Sequence, residues 1–131
     1  RDLPQRAARA GAEVALTETP EAEGRFDLVL ADVPCSGSGS WRRDPEGKWA
    51  LTEERLRAIL VTQAGILDCT APLVAPGGAL AYATCSILDR ENHAQIAAFL
   101  DRRRDWQLES ERRFLPTSGG DGFYSAILTR K

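Results

Sequence analysis

Two short apolar stretches separated by a long helical pattern constrain the fold of this chain most strongly. Residues Phe26 to Ala31 and Ala79 to Thr84 are predominantly apolar, which is typical of buried strands. From Thr52 to Val74, apolar residues recur at helical spacing after a capping threonine and two glutamates, and Pro76-Gly77-Gly78 is expected to end this helix. A strand, a helix and a strand in this order predict a parallel pair joined by a crossover helix.

The rest of the chain is predicted to extend this alternation of strands and helices. A helix over Gln5 to Ala10 and a short strand over Glu13 to Thr17 precede the apolar pair. A helix over Asp89 to about Arg103 follows it, with two closing strands at Trp106 to Glu109 and Phe123 to Thr129. The fold class is therefore a mainly parallel α/β sheet with a C-terminal antiparallel strand pair.

Composition indicates one globular domain that spans residues 1–131. The chain is 43% hydrophobic and 27% charged, which allows a real core. No apolar run reaches the roughly 18 residues of a membrane helix, and no signal-peptide pattern opens the chain. Three cysteines without a C-x-x-C pair, together with a single histidine, favour reduced thiols and a cytoplasmic protein and argue against a metal site.

A cysteine follows each of the two apolar strands. Cys35 lies in Asp32-Val33-Pro34-Cys35-Ser36-Gly37, and Cys85 lies in Thr84-Cys85-Ser86. Ligands bind at the carboxyl ends of strands in open α/β sheets, so both thiols are predicted to face one crevice. Backbone N–H groups of the turns that follow are expected to lower the thiol pKa values. Cys69, which lies in the crossover helix beside its apolar stripe, is interpreted as a packing residue.

The two cysteine motifs together resemble the signature motifs of the Nol1/Nop2/Sun family of RNA (cytosine-5)-methyltransferases, and most closely its bacterial 16S rRNA branch. Other parts of the chain are also similar to that family. These are Arg42 to Trp49, Pro76-Gly77-Gly78, Glu91-Asn92 and Asp121-Gly122-Phe123-Tyr124. The resemblance covers nearly all of the chain. It implies a Rossmann-like class I S-adenosylmethionine-dependent methyltransferase sheet and an RNA partner, ribosomal RNA in particular.

The resemblance also implies that part of the methyl-donor site lies outside this chain. The family's first strands and glycine-rich cofactor turn precede the helix that begins near Pro4, so residues 1–131 are expected to be the C-terminal portion of one catalytic domain. Its sheet would then be truncated at the N-terminal side. Of the residues present, Asp32 and Glu18 are implied to contact S-adenosylmethionine, with Glu18 standing where the family normally has aspartate.

The residue roles follow from the same resemblance and from the chemistry of cytosine. C5 of cytosine is a poor nucleophile, and addition of a thiolate to C6 turns the ring into an enamine that can attack a sulfonium methyl group. By resemblance, Cys85 is the nucleophile and Cys35 assists proton removal and product release. Asp32 is implied to hold the cytosine edge. Pro34, Arg42 and Lys48 are the other expected substrate-binding residues.

Three alternatives remain open from the residues. DNA cytosine-5 methyltransferases use the cysteine of a Pro-Cys dipeptide, which here is Pro34-Cys35, and residue chemistry alone does not separate the two thiols. The motif Thr84-Cys85 favours the RNA arrangement. A second alternative is a noncatalytic RNA-binding fragment that lacks a complete methyl-donor site. A third is a cysteine hydrolase that uses Cys85 with His93, although no orienting partner or oxyanion motif accompanies them.

Overall fold

The computed structural model describes residues 2–131, which form one four-stranded sheet with helices. The strands are β1 (Phe26–Asp32), β2 (Val74–Thr84), β3 (Trp106–Phe114) and β4 (Phe123–Arg130). The α-helices are α1 (Leu3–Ala10), α2 (Pro45–Ala50), α3 (Glu53–Thr70) and α4 (His93–Arg102). None of the helices in this described part of the chain is long and apolar enough to cross a membrane.

The sheet has the strand order β1-β2-β4-β3 and combines both types of pairing. Strands β1 and β2 are parallel and are joined through α3, whereas β4 pairs antiparallel with both β2 and β3. The predicted parallel pair and the predicted antiparallel pair at the C-terminus are both confirmed. Because Asp32 pairs with Ala83, the carboxyl ends of β1 and β2 lie at the same edge of the sheet.

The core lies between one face of the sheet and the helices α3 and α4. Leu80, Tyr82 and Leu128 point from neighbouring strands into this layer and are fully buried. Phe99 of α4 meets Trp106 of β3 edge to face, with ring centroids 5.8 Å apart. Such aromatic pairs add about 0.5–1.5 kcal/mol beyond the area that they bury. This layer fixes β2 and β4, and β2 carries the second cysteine motif at its carboxyl end.

Helix α3 begins where the sequence predicts, but it ends earlier. The side chain of Thr52 accepts a hydrogen bond from the backbone N–H of Arg55 at 3.1 Å, which caps the helix. Leu56 and Leu67 of the apolar stripe are buried. Cys69 is exposed, so its interpretation as a packing residue was wrong, because it lies on the solvent side of the helix.

The segment Pro76-Gly77-Gly78 lies inside β2, so its assignment as the end of the crossover helix was wrong. Phe26 pairs with Val74 and Leu28 with Ala79, so β2 contributes extra residues opposite β1 at this irregularity. A Cβ atom on Gly78 would lie 2.8 Å from the carbonyl oxygen of Asp27. The absent side chain at this position lets the two backbones approach closely.

The predicted strand over Glu13 to Thr17 does not form. Residues 12–18 have no regular secondary structure, and Leu16 is 68% exposed. The outer edge of β1 has no neighbouring strand in the described chain, and Leu28 and Leu30 of β1 are also exposed. A strand is stabilised by hydrogen bonds to a neighbouring strand and by burial of one face, and residues 12–18 have neither in the described chain.

Candidate active site

The thiols of Cys35 and Cys85 lie together beyond the carboxyl ends of β1 and β2, as the strand-end argument predicts. Their sulfur atoms are 3.2 Å apart and both side chains are partly buried. Either sulfur can donate the S–H hydrogen bond between them. Fifty residues of sequence separate the two cysteines, so the parallel pairing of β1 and β2 is what brings them into contact.

Backbone hydrogen bonds join the loop after β1 to the two loops beside it. The N–H of Val33 donates to the carbonyl of Ala83 at 3.1 Å, and the N–H of Gly39 donates to the carbonyl of Cys85 at 3.0 Å. The carbonyl of Gly39 accepts from the N–H of Gly122 at 2.9 Å. A Cβ atom on Gly39 would overlap the carbonyl oxygen of Gly122, so the close approach of the three loops requires glycine here.

A fully buried carboxylate, Glu91, lies behind the two thiols. Its Oε2 accepts hydrogen bonds from the hydroxyls of Ser36 and Ser86, each at 2.5 Å. Its Oε1 accepts from the backbone N–H of Ser36 at 2.8 Å and from Nε2 of Gln63 at 3.2 Å. Sequence reasoning identified Glu91 only as part of a family-like segment. The helix predicted over Asp89 to about Arg103 includes Glu91, whereas α4 begins only at His93, and the sequence pattern gives no signal that Glu91 is buried.

The residues around Glu91 are also buried and hydrogen-bonded. Oδ1 of Asn92 accepts from the hydroxyl of Thr84 at 2.7 Å, and Nδ2 of Asn92 donates to the carbonyl of Ser86 at 2.9 Å. The hydroxyl of Tyr82 donates to the carbonyl of Glu91 at 2.6 Å. These bonds fix the backbone on both sides of Cys85, because Thr84 and Ser86 are its immediate neighbours.

The electrostatics of Cys35 differ from the sequence-based expectation. Burial and the hydrogen bond with Cys85 raise the pKa of the Cys35 thiol to about 12. The backbone N–H groups of Gly37 and Cys85 lower this pKa, as expected for strand-end turns, but their influence is smaller. The expected net lowering is therefore wrong for Cys35, because partial burial outweighs the turn dipoles. Cys35 is a protonated thiol at neutral pH.

A cavity of about 330 Å³ opens at the same edge of the sheet. It is lined by Asp32, Ala83, Thr84, Cys85, Phe114, Phe123, Tyr124 and Ser125. Asp32 supplies the only carboxylate of this lining, and Cys85 supplies its only thiol. The aromatic rings of Phe114 and Phe123 are half-exposed, so a flat group that enters the cavity can stack on apolar surface next to the sulfur of Cys85.

Comparison with known proteins identifies the family. A family model described as 16S rRNA methyltransferase RsmB/F matches residues 6–129. The chain belongs to this methyltransferase family. Ribosomal RNA small subunit methyltransferase B of Proteus mirabilis is 43% identical over 108 residues, which are 82% of this chain and 26% of that protein. The match confirms the resemblance based on the cysteine motifs. The chain spans about a quarter of the length of the curated relatives it matches.

Solved structures confirm the methyltransferase fold. The structure of PH0851 has a TM-score of 0.87 and 31% identity, and the match covers 98% of this chain and 34% of that one. A methyltransferase homologue from Pyrococcus horikoshii has a TM-score of 0.77 at 23% identity, covering 95% of this chain and 48% of that one. The α/β sheet of this methyltransferase chain thus follows the sheet of its relatives.

The basic residues predicted to bind substrate follow Cys35 but do not line the cavity. Arg42 is exposed in the loop before α2, a short helix that sequence periodicity did not reveal. Lys48 lies on α2 with its ammonium group 5.5 Å from the ring centroid of Trp49, which is 81% exposed. Arg43 forms an ion pair with Asp121 and so links this loop to the segment before β4.

Pro34 and Glu18 are the remaining predicted site residues, and only Pro34 lies next to a thiol in the sequence. Pro34 is exposed directly before Cys35, and its carbonyl accepts a hydrogen bond from Nε2 of Gln63 at 2.9 Å. Glu18 lies in the exposed segment 12–18 and is not part of the cavity lining. The structure therefore brings Asp32, Cys35 and Cys85 to one edge of the sheet and leaves Glu18 apart from the cavity.

Proposed function

We propose that this chain carries the thiol-bearing part of an S-adenosylmethionine-dependent enzyme that methylates C5 of a cytosine in 16S rRNA. The observation that carries this proposal is the pair of thiols 3.2 Å apart, one of which opens into a cavity beside the carboxylate of Asp32. The family description and the names of the relatives support ribosomal RNA as the substrate.

The arrangement favours Cys85 as the nucleophile. Cys85 lines the cavity and Cys35 does not, so a base that enters the cavity meets the sulfur of Cys85. The raised pKa of Cys35 keeps its proton in place, which allows its S–H to donate a hydrogen bond to a Cys85 thiolate. The alternative in which the Pro34-Cys35 dipeptide supplies the nucleophile has less support, because Cys35 does not line the cavity.

The same pair of thiols supports a role for Cys35 in release. Addition of the Cys85 thiolate to C6 forms a carbon–sulfur bond and leaves this sulfur uncharged. The hydrogen bond to Cys85 and the negative charge of Cys85, which both raise the pKa of Cys35 in the free site, are then lost. Cys35 can then release its proton to water and, once C5 of the enamine has taken the methyl group, accept the proton from C5. The C6–sulfur bond then breaks, and the Cys85 thiolate returns.

The residues present fit the methyl donor only in part. When bound, S-adenosylmethionine supplies a methyl group on a positively charged sulfur. Asp32 is an exposed carboxylate at the rim of the cavity, suited to hydrogen bonding with a polar edge of the donor or of the cytosine. A volume of about 330 Å³ is at the lower end of the roughly 300–1,000 Å³ of ligand pockets. Glu18, outside the lining, remains a proposed donor contact.

The loop and helix after Cys35 are suited to RNA. Arg42 and Lys48 offer cations for phosphates, and the exposed ring of Trp49 offers a surface on which a base can stack. Base–aromatic stacking contributes about 1–3 kcal/mol per base. The hydrolase alternative loses support here, because Nδ1 of His93 contacts Glu111 at 3.1 Å and His93 does not line the cavity that holds Cys85.

The test uses the full-length protein, S-adenosylmethionine and 16S rRNA fragments that contain 5-fluorocytosine. The fluorine at C5 blocks proton removal, so a covalent protein–RNA adduct is expected to survive denaturation. The adduct is expected to be lost on Cys85→Ala and kept on Cys35→Ala, with Cys69→Ala as the matched control that leaves it intact. The reverse pattern would exchange the roles of the two thiols. RNA binding without any adduct would favour the noncatalytic alternative.

A further inference from the structure

Glu91 connects the two cysteine loops through one carboxylate. Ser36 directly follows Cys35, and Ser86 directly follows Cys85, so each bonded serine is the neighbour of a thiol. Oε2 of Glu91 accepts from both serine hydroxyls at 2.5 Å, and Oε1 accepts from the backbone N–H of Ser36 at 2.8 Å. A single side chain on the segment before α4 thus fixes the loops that leave β1 and β2.

A third connection reaches the other side of Cys35. Nε2 of Gln63, on α3, donates to Oε1 of Glu91 at 3.2 Å and to the carbonyl of Pro34 at 2.9 Å. The residues before and after Cys35 are therefore both held by the same buried network. On the other loop, Ser86 also bonds to the hydroxyl of Ser38 at 2.9 Å, which closes the network between the loops.

The energetics indicate that this network does more than fill space. Glu91 and Gln63 are completely buried, and within residues 2–131 no basic side chain forms an ion pair with Glu91. Burial of an unpaired carboxylate is costly unless hydrogen bonds saturate it, and an apolar side chain of similar volume is often at least as stabilising. Three of the four bonds that compensate here come from Ser36 and Ser86, which flank the two thiols, and the fourth comes from Gln63.

We propose that Glu91 is a positioning residue that holds the sulfur atoms of Cys35 and Cys85 in contact. It touches neither thiol and acts through Ser36 and Ser86. The inference rests on the proposed function only in taking the two thiols as the reacting pair. Loss of the carboxylate removes the shared anchor of Ser36 and Ser86, while the backbone bonds between the loops remain, and it lets the two thiols move apart. It lowers the rate of the methyl-transfer cycle more than it lowers the affinity for RNA.

The experiment measures thiol pairing with phenylarsine oxide, which binds tightly only where two thiols are close. Its trivalent arsenic forms one bond to each sulfur, and the two thiol protons leave with the oxide oxygen as water. The full-length protein carries Cys69→Ser throughout, and Cys35→Ser defines binding in the absence of the pair. Glu91→Gln keeps the shape of the side chain but presents an amide N–H₂ group to donors, and Glu91→Ala removes the carboxylate.

Gln95→Ala is the matched control. Gln95 is buried and donates a hydrogen bond to the carbonyl of Leu60 at 2.9 Å, yet it bonds to neither cysteine loop. Both Glu91 variants are expected to bind phenylarsine oxide about tenfold more weakly per folded molecule, since the paired geometry is no longer preorganised. Gln95→Ala is expected to bind it as the parent does, even where the two kinds of variant lose equal stability.

Steady-state methylation supplies the second measurement. A misplacement of about 1 Å can cost on the order of 100-fold in rate, so the Glu91 variants are expected to lose that much kcat with KM for RNA within about threefold. The double variant Ser36→Ala with Ser86→Ala removes the hydroxyl donors while it keeps Glu91, and it is expected to weaken arsenical binding similarly if Glu91→Ala does not fold.

Phenylarsine oxide affinity at the parent level in folded Glu91→Gln and in the serine double variant would overturn the proposal. The arsenical measurement needs neither RNA nor a methyl donor. Thiol pairing that depends on Glu91, in a protein that forms no adduct with 5-fluorocytosine RNA, would therefore uphold the positioning role and reject the proposed function. An adduct formed by the parent, together with unaltered thiol pairing in the Glu91 variants, would uphold the proposed function and reject the positioning role.

Discussion

The cysteine end of the sheet and the segment of residues 12–25 differ in how far their side chains are buried and hydrogen-bonded within this chain. At the cysteine end, Ser86, Glu91 and Asn92 are buried, and all of them are hydrogen-bonded to residues next to a thiol. In residues 12–25, Val14 and Leu16 are exposed, and no strand within residues 2–131 covers the outer edge of β1. The thiol site is therefore held by hydrogen bonds within the chain, whereas the segment that carries Glu18, an expected contact of the methyl donor, has no strand beside it among residues 2–131.

The largest loss of stability is expected from a methyl group added at Gly39, where the three loops meet. Gly39→Ala puts a Cβ atom into the carbonyl oxygen of Gly122 and within 2.9 Å of the carbonyl oxygen of Cys85, so it is expected to destabilise the chain by about 3 kcal/mol. Gly65→Ala is the matched control, because that helical glycine has open space around it. It is expected to stabilise by about 0.5–1 kcal/mol. Urea unfolding measures both, and equal effects would contradict the account.

A smaller loss of stability is expected on removal of the buried amide of Asn92. Removal of the exposed hydroxyl of Thr17 is expected to cost still less. Asn92→Ala leaves the carbonyl of Ser86 without its donor and is expected to cost about 2 kcal/mol. Thr17→Ala removes an exposed hydrogen bond to the N–H of Thr19 and is expected to change stability by less than about 0.5 kcal/mol. Thermal unfolding of the two variants compares the two regions directly. A larger loss at Thr17 would mean that the segment of residues 12–25 is more ordered than its exposure indicates.

The pH dependence of stability gives the smallest expected effect. The pKa of Cys35 is raised from its ordinary value of 9.0 to about 12, so between these values the folded chain keeps a proton that the unfolded chain has lost. Stability therefore falls as the pH rises through this window. Burial also raises the pKa values of Tyr82 and Tyr124, which adds to the decline above pH 10.

The measurement is urea unfolding between pH 8 and pH 10 for three proteins. Cys35→Ala is expected to show a shallower decline than the parent, because one of the protons retained on folding is gone. Cys69→Ala removes an exposed thiol and is expected to decline as the parent does. Identical slopes for the two cysteine variants would show that Cys35 is not held protonated by its surroundings.

Much of the fold and the thiol pair could be predicted from the sequence, because those features depend on patterns that the chain itself satisfies. The apolar runs that became β1 and β2 both find partners, and the carboxyl ends of parallel strands must meet. The capping threonine of α3 and the buried residues Ile96 and Phe99 of α4 follow local rules in the same way.

The predictions that were wrong concern segments whose structure depends on neighbouring parts of the fold and not on their own sequence pattern. Glu13 to Thr17 has a strand-like pattern, but no strand lies beside it in the described chain. Pro76-Gly77-Gly78 has the pattern of a helix end but lies within β2, at an irregularity of its pairing with β1. Helix α2 is too short, at six residues, for its periodicity to be recognised. The burial of Glu91 follows from the meeting of two loops and has no local sequence signal.

The most direct test of the central claim uses the full-length Cys35→Ala variant with S-adenosylmethionine and ordinary, unfluorinated RNA. Without Cys35 to assist release, a covalent adduct that contains a methylated cytosine is expected to accumulate and to survive denaturation. Digestion and mass spectrometry are expected to find the nucleotide on the peptide that contains Cys85. A methylated adduct on Cys35 in the Cys85→Ala protein, with none on Cys85 in the Cys35→Ala protein, would contradict the assignment.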